Sequence, residues 1–224
     1  MTDNKNQVYI RGTVSTEAVI SHEVYGEKFY GLTIDVKRTS GAVDKLPVTI
    51  SERLMTDAIA VGREICISGQ FRSCNKIVDG ASKLLLSIFV LKLLDELPED
   101  VPGNTILLKG YLCKKPSYRV TPLNREIADM MIAVNRAYGK SDYIPCIAWG
   151  RNAKFVSGFG IGSSVICSGR VQSREYVKKK KDGSEHTLVA YEVSVSKICM
   201  VDEDTDAMDD YESMAPEDFL RKYL

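Results

Sequence analysis

The sequence has one tryptophan, two histidines and no two cysteines at CxxC spacing, and each scarcity excludes a class of chemistry. His22 and His186 stand at metal-ligand spacing neither to each other nor to a cysteine, so a zinc or iron site is not expected, and no other cofactor is implied. The six cysteines read as thiols in a reducing compartment. Cys66, Cys146, Cys167 and Cys199 fall inside apolar strand-like runs and Cys74 and Cys113 near strand ends, where thiols act as small hydrophobes. No basic, apolar leader opens the chain and no run approaches the roughly 18 apolar residues of a membrane span, so a cytoplasmic protein is expected. A nucleophile with a base, or paired carboxylates, cannot be assembled from two histidines and scattered acids; the chain is not expected to be an enzyme. Gly158, Gly160 and Gly162 cluster without the GK[ST] ending of a phosphate loop.

Charge is not missing but unevenly placed. The formal net charge of 0 hides 12 Lys+Arg against 14 Asp+Glu in residues 1–103, 16 against 7 in 104–200 and 2 against 9 in 201–224. A basic segment followed by an acidic tail suggests a polyanion partner, with the tail competing for the same surface or recruiting proteins.

The chain is written twice. Displaced by 98 positions, VYIRG at Val8 lies over ILLKG at Ile106, and IDVKRTSGAVDKLP at Ile34 over IAVNRAYGKSDYIP at Ile132. At 100, GREICISG at Gly62 meets GSSVICSG at Gly162, and at 103 Asp79-Gly80 meets Asp182-Gly183. The order of blocks predicts two tandem copies, residues 1–97 and 104–200, with a surface linker at 98–103 and an acidic tail at 201–224. Alternation predicts strands near 105–118, 126–136, 143–149, 164–176 and 186–198, with a short helix after the third. The counterpart segment Glu52 to Gly62 reads as more plainly helical than Arg151 to Gly162. Five strands and that helix match an all-β class: two five-stranded oligonucleotide-binding (OB) barrels, with a β-sandwich as the alternative.

The copies disagree at their rings. Tyr138, Tyr143, Trp149 and Tyr176 lie over Ser40, Lys45, Ser51 and Lys76, so rings that the first copy replaces with polar residues are not core. Tyr143 and Trp149 share a strand face, while Ile144, Cys146 and Ala148 point the other way. Arg170, Gln172, Arg174 and Tyr176 alternate with apolar residues on the next strand, which runs into Lys178, Lys179, Lys180 and Lys181 before the Asp182-Gly183 turn. Rings at strand spacing beside cations suit single-stranded nucleic acid: bases stack for roughly 1–3 kcal/mol each while cations follow the phosphates. Stacking alone does not separate DNA from RNA. No helix-turn-helix, zinc-finger or RNP signature is present.

The motifs NTILLKGYLCKKPSYRVTPLN, IAVNR, SDYIPCIAWGRNAKFV and GSSVICSGRVQSREYVKKKKDGSEHTLVAYEV together resemble the bacterial single-stranded DNA-binding proteins over nearly all of residues 104–200. The resemblance implies an OB fold, sequence-tolerant binding of single-stranded DNA in replication, recombination or repair, and assembly of four such folds, which two chains would supply as a homodimer. It places stacking on Tyr138, Tyr143, Trp149 and Tyr176, and phosphate contacts on Arg119, Arg136, Arg151, Lys154, Arg170 and Arg174 beside the lysine run. The first copy resembles the family weakly; it is expected to serve in assembly or to hold DNA through Lys37, Arg38, Lys45 and Lys76. The family's tail ends in an acidic tip closed by Pro-Phe that recruits replication and repair proteins. Here DEDTDAMDDYES closes instead with MAPEDFLRKYL, whose Phe219, Leu220, Tyr223 and Leu224 are expected on one side of a short partner-docking helix. The rival reading is an adaptor that docks proteins in a replication or recombination assembly.

Overall fold

In the computed structural model, residues 6–78, 80–179 and 183–201 are described. The first copy consists of β1 (Asn6–Val14), β2 (Val19–Val24), β3 (Glu27–Lys37), β4 (Val43–Ser51), β5 (Glu64–Val78) and β6 (Ala81–Leu94). The second repeats it as β7 (Asn104–Leu112), β8 (Ser117–Val120), β9 (Glu126–Asn135), β10 (Ser141–Trp149), helix α1 (Arg151–Ser157), β11 (Ser164–Lys179) and β12 (Glu185–Met200).

Each barrel closes through five strands. β1 pairs with β5, β5 with β6, β6 with β4 in a short parallel contact, β4 with β3, and β3 returns to β1. The second barrel closes identically, through β7, β11, β12, β10 and β9. This is the partly open OB barrel. Strand alternation fills it: Val8, Ile10, Ile34, Leu46, Ile67 and Phe71 point inward in one copy, Ile106, Leu108, Ile132, Ile144, Cys167 and Val171 in the other. Two glycines recur because backbone passes close. A Cβ on Gly69 or Gly169 would strike the carbonyl oxygen of Phe89 or Ser194, and both sites carry a bulge in the long hairpin.

The structure departs from the sequence expectation in a strand, a helix, a cysteine and the linker. The strand expected at 105–118 divides at Cys113–Pro116; a proline cannot donate to a ladder, and the exposed piece beyond it, β8, pairs only with β9. In the first copy β2 is the same accessory strand. The helix expectation is reversed. Arg151–Ser157 is helical, with Ala153 and Val156 buried, whereas its counterpart forms only a 3-10 turn at Glu52–Leu54. Thr56 and Asp57, residue types whose short polar side chains compete with helix, follow that turn. Cys74 is exposed rather than buried, and all six cysteines are free.

The copies join edge to edge. β1 pairs antiparallel with β7, Val8 opposite Ile106, giving one 12-stranded sheet in the order β2-β3-β4-β6-β5-β1-β7-β11-β12-β10-β9-β8. That order reads the same from either end, copy for copy, so the seam is a pseudo-twofold axis. Polar contacts repeat across it. Asp44, fully buried, accepts from the Ser173 N–H at 2.7 Å and from Arg38 Nε at 2.7 Å. Its counterpart Asp142 accepts from the Ser73 N–H at 2.6 Å and faces Arg136 Nε at 3.3 Å, off hydrogen-bond alignment. Ser173 Oγ accepts from the Lys45 N–H and Ser73 Oγ from the Tyr143 N–H, at 3.1 and 2.8 Å. The linker is more than a surface connection: Leu97 and Val101 pack on a small cluster of Tyr9, Leu107 and Ile166, and the Gly103 carbonyl accepts from the Arg11 N–H at 2.7 Å.

Candidate nucleic-acid interface

On β10 the inward face is Asp142, Ile144, Cys146 and Ala148, all buried; outward stand Tyr143 and Trp149, 44% and 37% exposed. Between them Pro145 is half-buried and Ile147 buried. The indole N–H of Trp149 donates to Ser194 Oγ at 3.1 Å, which fixes the ring on the barrel wall. Ser194 opposes Arg170 on β11 and Ile147 on β10, so the outward faces of β10, β12 and β11 form one surface.

Along β11 the outward residues form a polar chain that ends in a ring. Arg170 Nη2 donates to Gln172 Oε1 at 2.9 Å, and Gln172 Nε2 donates to Glu192 Oε1 at 2.8 Å. Arg174 lies 3.4 Å from the same carboxylate and carries its guanidinium carbon 6.0 Å from the Tyr176 ring centroid; Tyr176 is 39% exposed. Burial, with Arg38 across the seam adding to it and Asp44 opposing, pushes the Arg170 guanidinium below its ordinary value. Beside Trp149 an open cavity of about 530 Å³ is lined by Val120, Asn124, Arg125, Glu126 and Gly150.

The remaining expected cations fall into two groups. Several already hold acids: Arg119 pairs with Asp129 at 2.9 Å, Lys154 with Glu126 at 2.9 Å, and Arg136 faces Asp142 at the seam. The Lys154 contact, together with the Tyr118 hydroxyl, lowers the Glu126 carboxyl. Arg151, exposed at the start of α1, has no acid partner among the described residues. Tyr138 lies on a 3-10 turn, Ala137–Gly139, and its side chain is outside what is described. So are the side chains of Lys178 and Lys179; Lys180, Lys181 and the tail residues Phe219, Leu220, Tyr223 and Leu224 lie outside the described residues. No group of His, Cys, Asp or Glu among the described residues could hold a metal ion, and no described helix is long and apolar enough to cross a membrane.

Sequence comparison of the copies misses rings on the first barrel. Its Lys45 and Lys76 are exposed where the second has Tyr143 and Tyr176, but His22, Phe29 and Phe89 form a ring series of their own under Arg72. They escape a position-by-position comparison because they occupy different strands from the four rings of the second copy.

Comparison with known proteins agrees with the geometry. The model of the Single-strand binding protein family matches residues 103–199. Single-stranded DNA-binding protein A of Bacillus subtilis is 36% identical over 80 residues, 33% of this chain and 46% of that protein. Single-stranded DNA-binding protein 2 of Streptococcus agalactiae serotype V is 31% identical over 92 residues, 38% of this chain and 68% of that protein. The chain thus spans about half the length of the Bacillus relative and its like. The crystal structure of wild-type single-stranded DNA binding protein from Thermus aquaticus superposes with a TM-score of 0.68 at 18% identity, covering 89% of this chain and 94% of that one, a likeness of fold that takes in both copies. With paired OB barrels, an outward ring surface and matched relatives, this chain belongs to the single-strand binding protein family.

Proposed function

We propose that the chain binds single-stranded DNA without sequence preference, stacking bases on Tyr143, Trp149 and Tyr176, with Tyr138 as a fourth platform. Arg151, Arg170 and Arg174, with the lysines at the hairpin end, meet the phosphates. One observation carries this reading: three rings, none less than a third exposed, share the outward surface of one barrel with guanidiniums between them. Unpaired bases offer faces for such a surface; a duplex hides them. The names of the relatives support the ligand. The surface binds and protects its ligand, with no bond made or broken.

We place the domains at 1–97 and 104–200, joined at 98–103, with residues 201–224 as a recruiting tail for proteins of replication, recombination or repair in the bacterial cytoplasm. Trp149 is the sole tryptophan, which makes the test direct. Titrating oligo(dT) is expected to quench its emission, with affinity falling at a log-log salt slope of roughly −0.7 per phosphate neutralised. Emission unchanged at saturating oligo(dT) would overturn the assignment.

A further inference from the structure

The outward face of the first barrel carries its own ring series. His22 of β2 stacks on Phe29 of β3, centroids 4.9 Å apart and planes 7° from parallel. Phe29 meets Phe89 of β6 at 5.7 Å, and Arg72 of β5 lays its guanidinium carbon 3.6 Å over the Phe89 ring. These are not core residues: Leu32, Ile34, Phe71, Ile88 and Val90 fill the inside of the same strands, while His22 is exposed and Phe29, Phe89 and Arg72 are half-buried.

Ladder register identifies this face as the counterpart of the second copy's, with its parts exchanged. Phe29 opposes Ser51 as Ile127 opposes Trp149, so the ring has crossed the ladder by one strand. Phe89 opposes Gln70, the residue after the bulge glycine, as Ser194 opposes Arg170. Phe89 therefore stands where Ser194 holds the indole in the other copy. Arginine and glutamine have traded places while keeping their bond: Arg72 Nε and Nη2 donate to Gln70 Oε1 at 3.1 and 2.8 Å, as Arg170 donates to Gln172. Where Glu192 faces Gln172, Ser87 faces Arg72, so Arg72 has no carboxylate across its ladder. The acid nearest in sequence to Phe29 on this face, Glu27, is matched by Arg53 at 3.0 Å and by the Ser51 hydroxyl. A cation over one ring, two further rings in series and an open end at His22 fit a flat base on an anionic backbone. The face also continues, through the shared sheet, toward the surface assigned above to single-stranded DNA.

We infer that the first barrel also takes unpaired nucleobases, on the His22–Phe29–Phe89 series with Arg72, so that one strand of nucleic acid crosses both copies on non-identical platforms. This rests on the reading of the second copy. In the full chain carrying Tyr143→Ala, Trp149→Ala and Tyr176→Ala, residual binding of fluorescein-labelled oligo(dT) is expected by anisotropy. Adding Phe29→Leu and Phe89→Leu is expected to weaken it roughly 5- to 150-fold, the loss of one stacked base. Leucine keeps apolar bulk, so an unchanged melting temperature accompanies the loss. Absence of residual binding, or equal affinity with and without the leucines, overturns the inference. Should the leucine pair lower the melting temperature, the unaltered chain serves: photocrosslinking to an oligonucleotide carrying 5-iododeoxyuridine is expected to leave adducts on His22, Phe29 or Phe89. Adducts confined to the second copy overturn it. Trp149 emission indifferent to oligo(dT) is a separate failure, of the second-copy reading itself.

Discussion

Trp149 is partly open to solvent while its N–H is engaged by Ser194. A ring held this way loses little rotamer freedom when a base lands on it, which spares one of the ordering costs of binding. Trp149→Ala and Tyr176→Ala are each expected to weaken oligo(dT) binding by about 1–3 kcal/mol, measured by anisotropy at fixed salt. Either variant binding as tightly as the parent would remove its ring from the site. At this scale the sequence was informative about rings and less so about cations. Tyr143, Trp149 and Tyr176 stood out because the first copy has Lys45, Ser51 and Lys76 there, and all three are outward. Arg119, Lys154 and Arg136 look the same in sequence as Arg151, yet each has an acid beside it. Those acids come from other strands, and spacing along one strand does not reveal them. The Phe29 and Phe89 series was hidden for a related reason: matching rings by position cannot find rings that moved to neighbouring strands of the same face.

Among elements, β4 and β10 do double duty. Each presents one side to the outward surface and ends its inward row with an aspartate aimed across the seam, Asp44 toward Ser173 and Asp142 toward Ser73. Burial raises the Asp142 carboxyl above its ordinary value of 3.8, the Ser73 N–H and then Arg136 pulling the other way without cancelling it. The sign follows. A carboxyl less acidic when folded than when unfolded adds stability that is full below the unfolded value and is lost as pH rises through the raised one. Asp142→Asn has no such group, so its stability relative to the parent is expected to fall as pH drops from 7 toward 3.8, compared by urea unfolding at several pH values; a constant difference would refute the assignment. Removing the carboxylate from the other corner, Asp44→Ala, leaves the Ser173 N–H unmatched and Arg38 without a counter-charge, holding only the Ser173 carbonyl at 3.1 Å, and is expected to destabilise by about 3 kcal/mol. Strand elements were readable from alternation to within a few residues. The helix was not, because a run such as ERLMTDAIAVG has apolar residues at helical spacing, and its local polar side chains and packing against the barrel decide the outcome.

At the scale of the molecule, both barrels contribute equal sets of strands to one sheet while their surfaces differ in chemistry. The repeat blocks made that duplication legible, since each block is a strand or turn whose spacing the barrel fixes. The edge-to-edge joining was not legible: Val8 and Ile106 read as core strands, and nothing in their pattern says that their backbone edges meet. Two such chains would bring four barrels together, and sedimentation is expected to show a homodimer at micromolar concentration; a stable monomer with and without DNA would exclude it. Deleting residues 201–224, which removes 9 acids against 2 bases, is expected to leave DNA affinity equal or higher.

Because β1 and β7 belong to the same polypeptide, their meeting is a unimolecular event governed by the tether rather than by how much protein is present. Dilution that would separate two free barrels leaves this pair together. The same tether removes the obligation that both sides of an axis be identical, since each half has its own stretch of gene. One half can keep its aromatic side chains where they were while the other relocates them, and the sheet between them registers no difference.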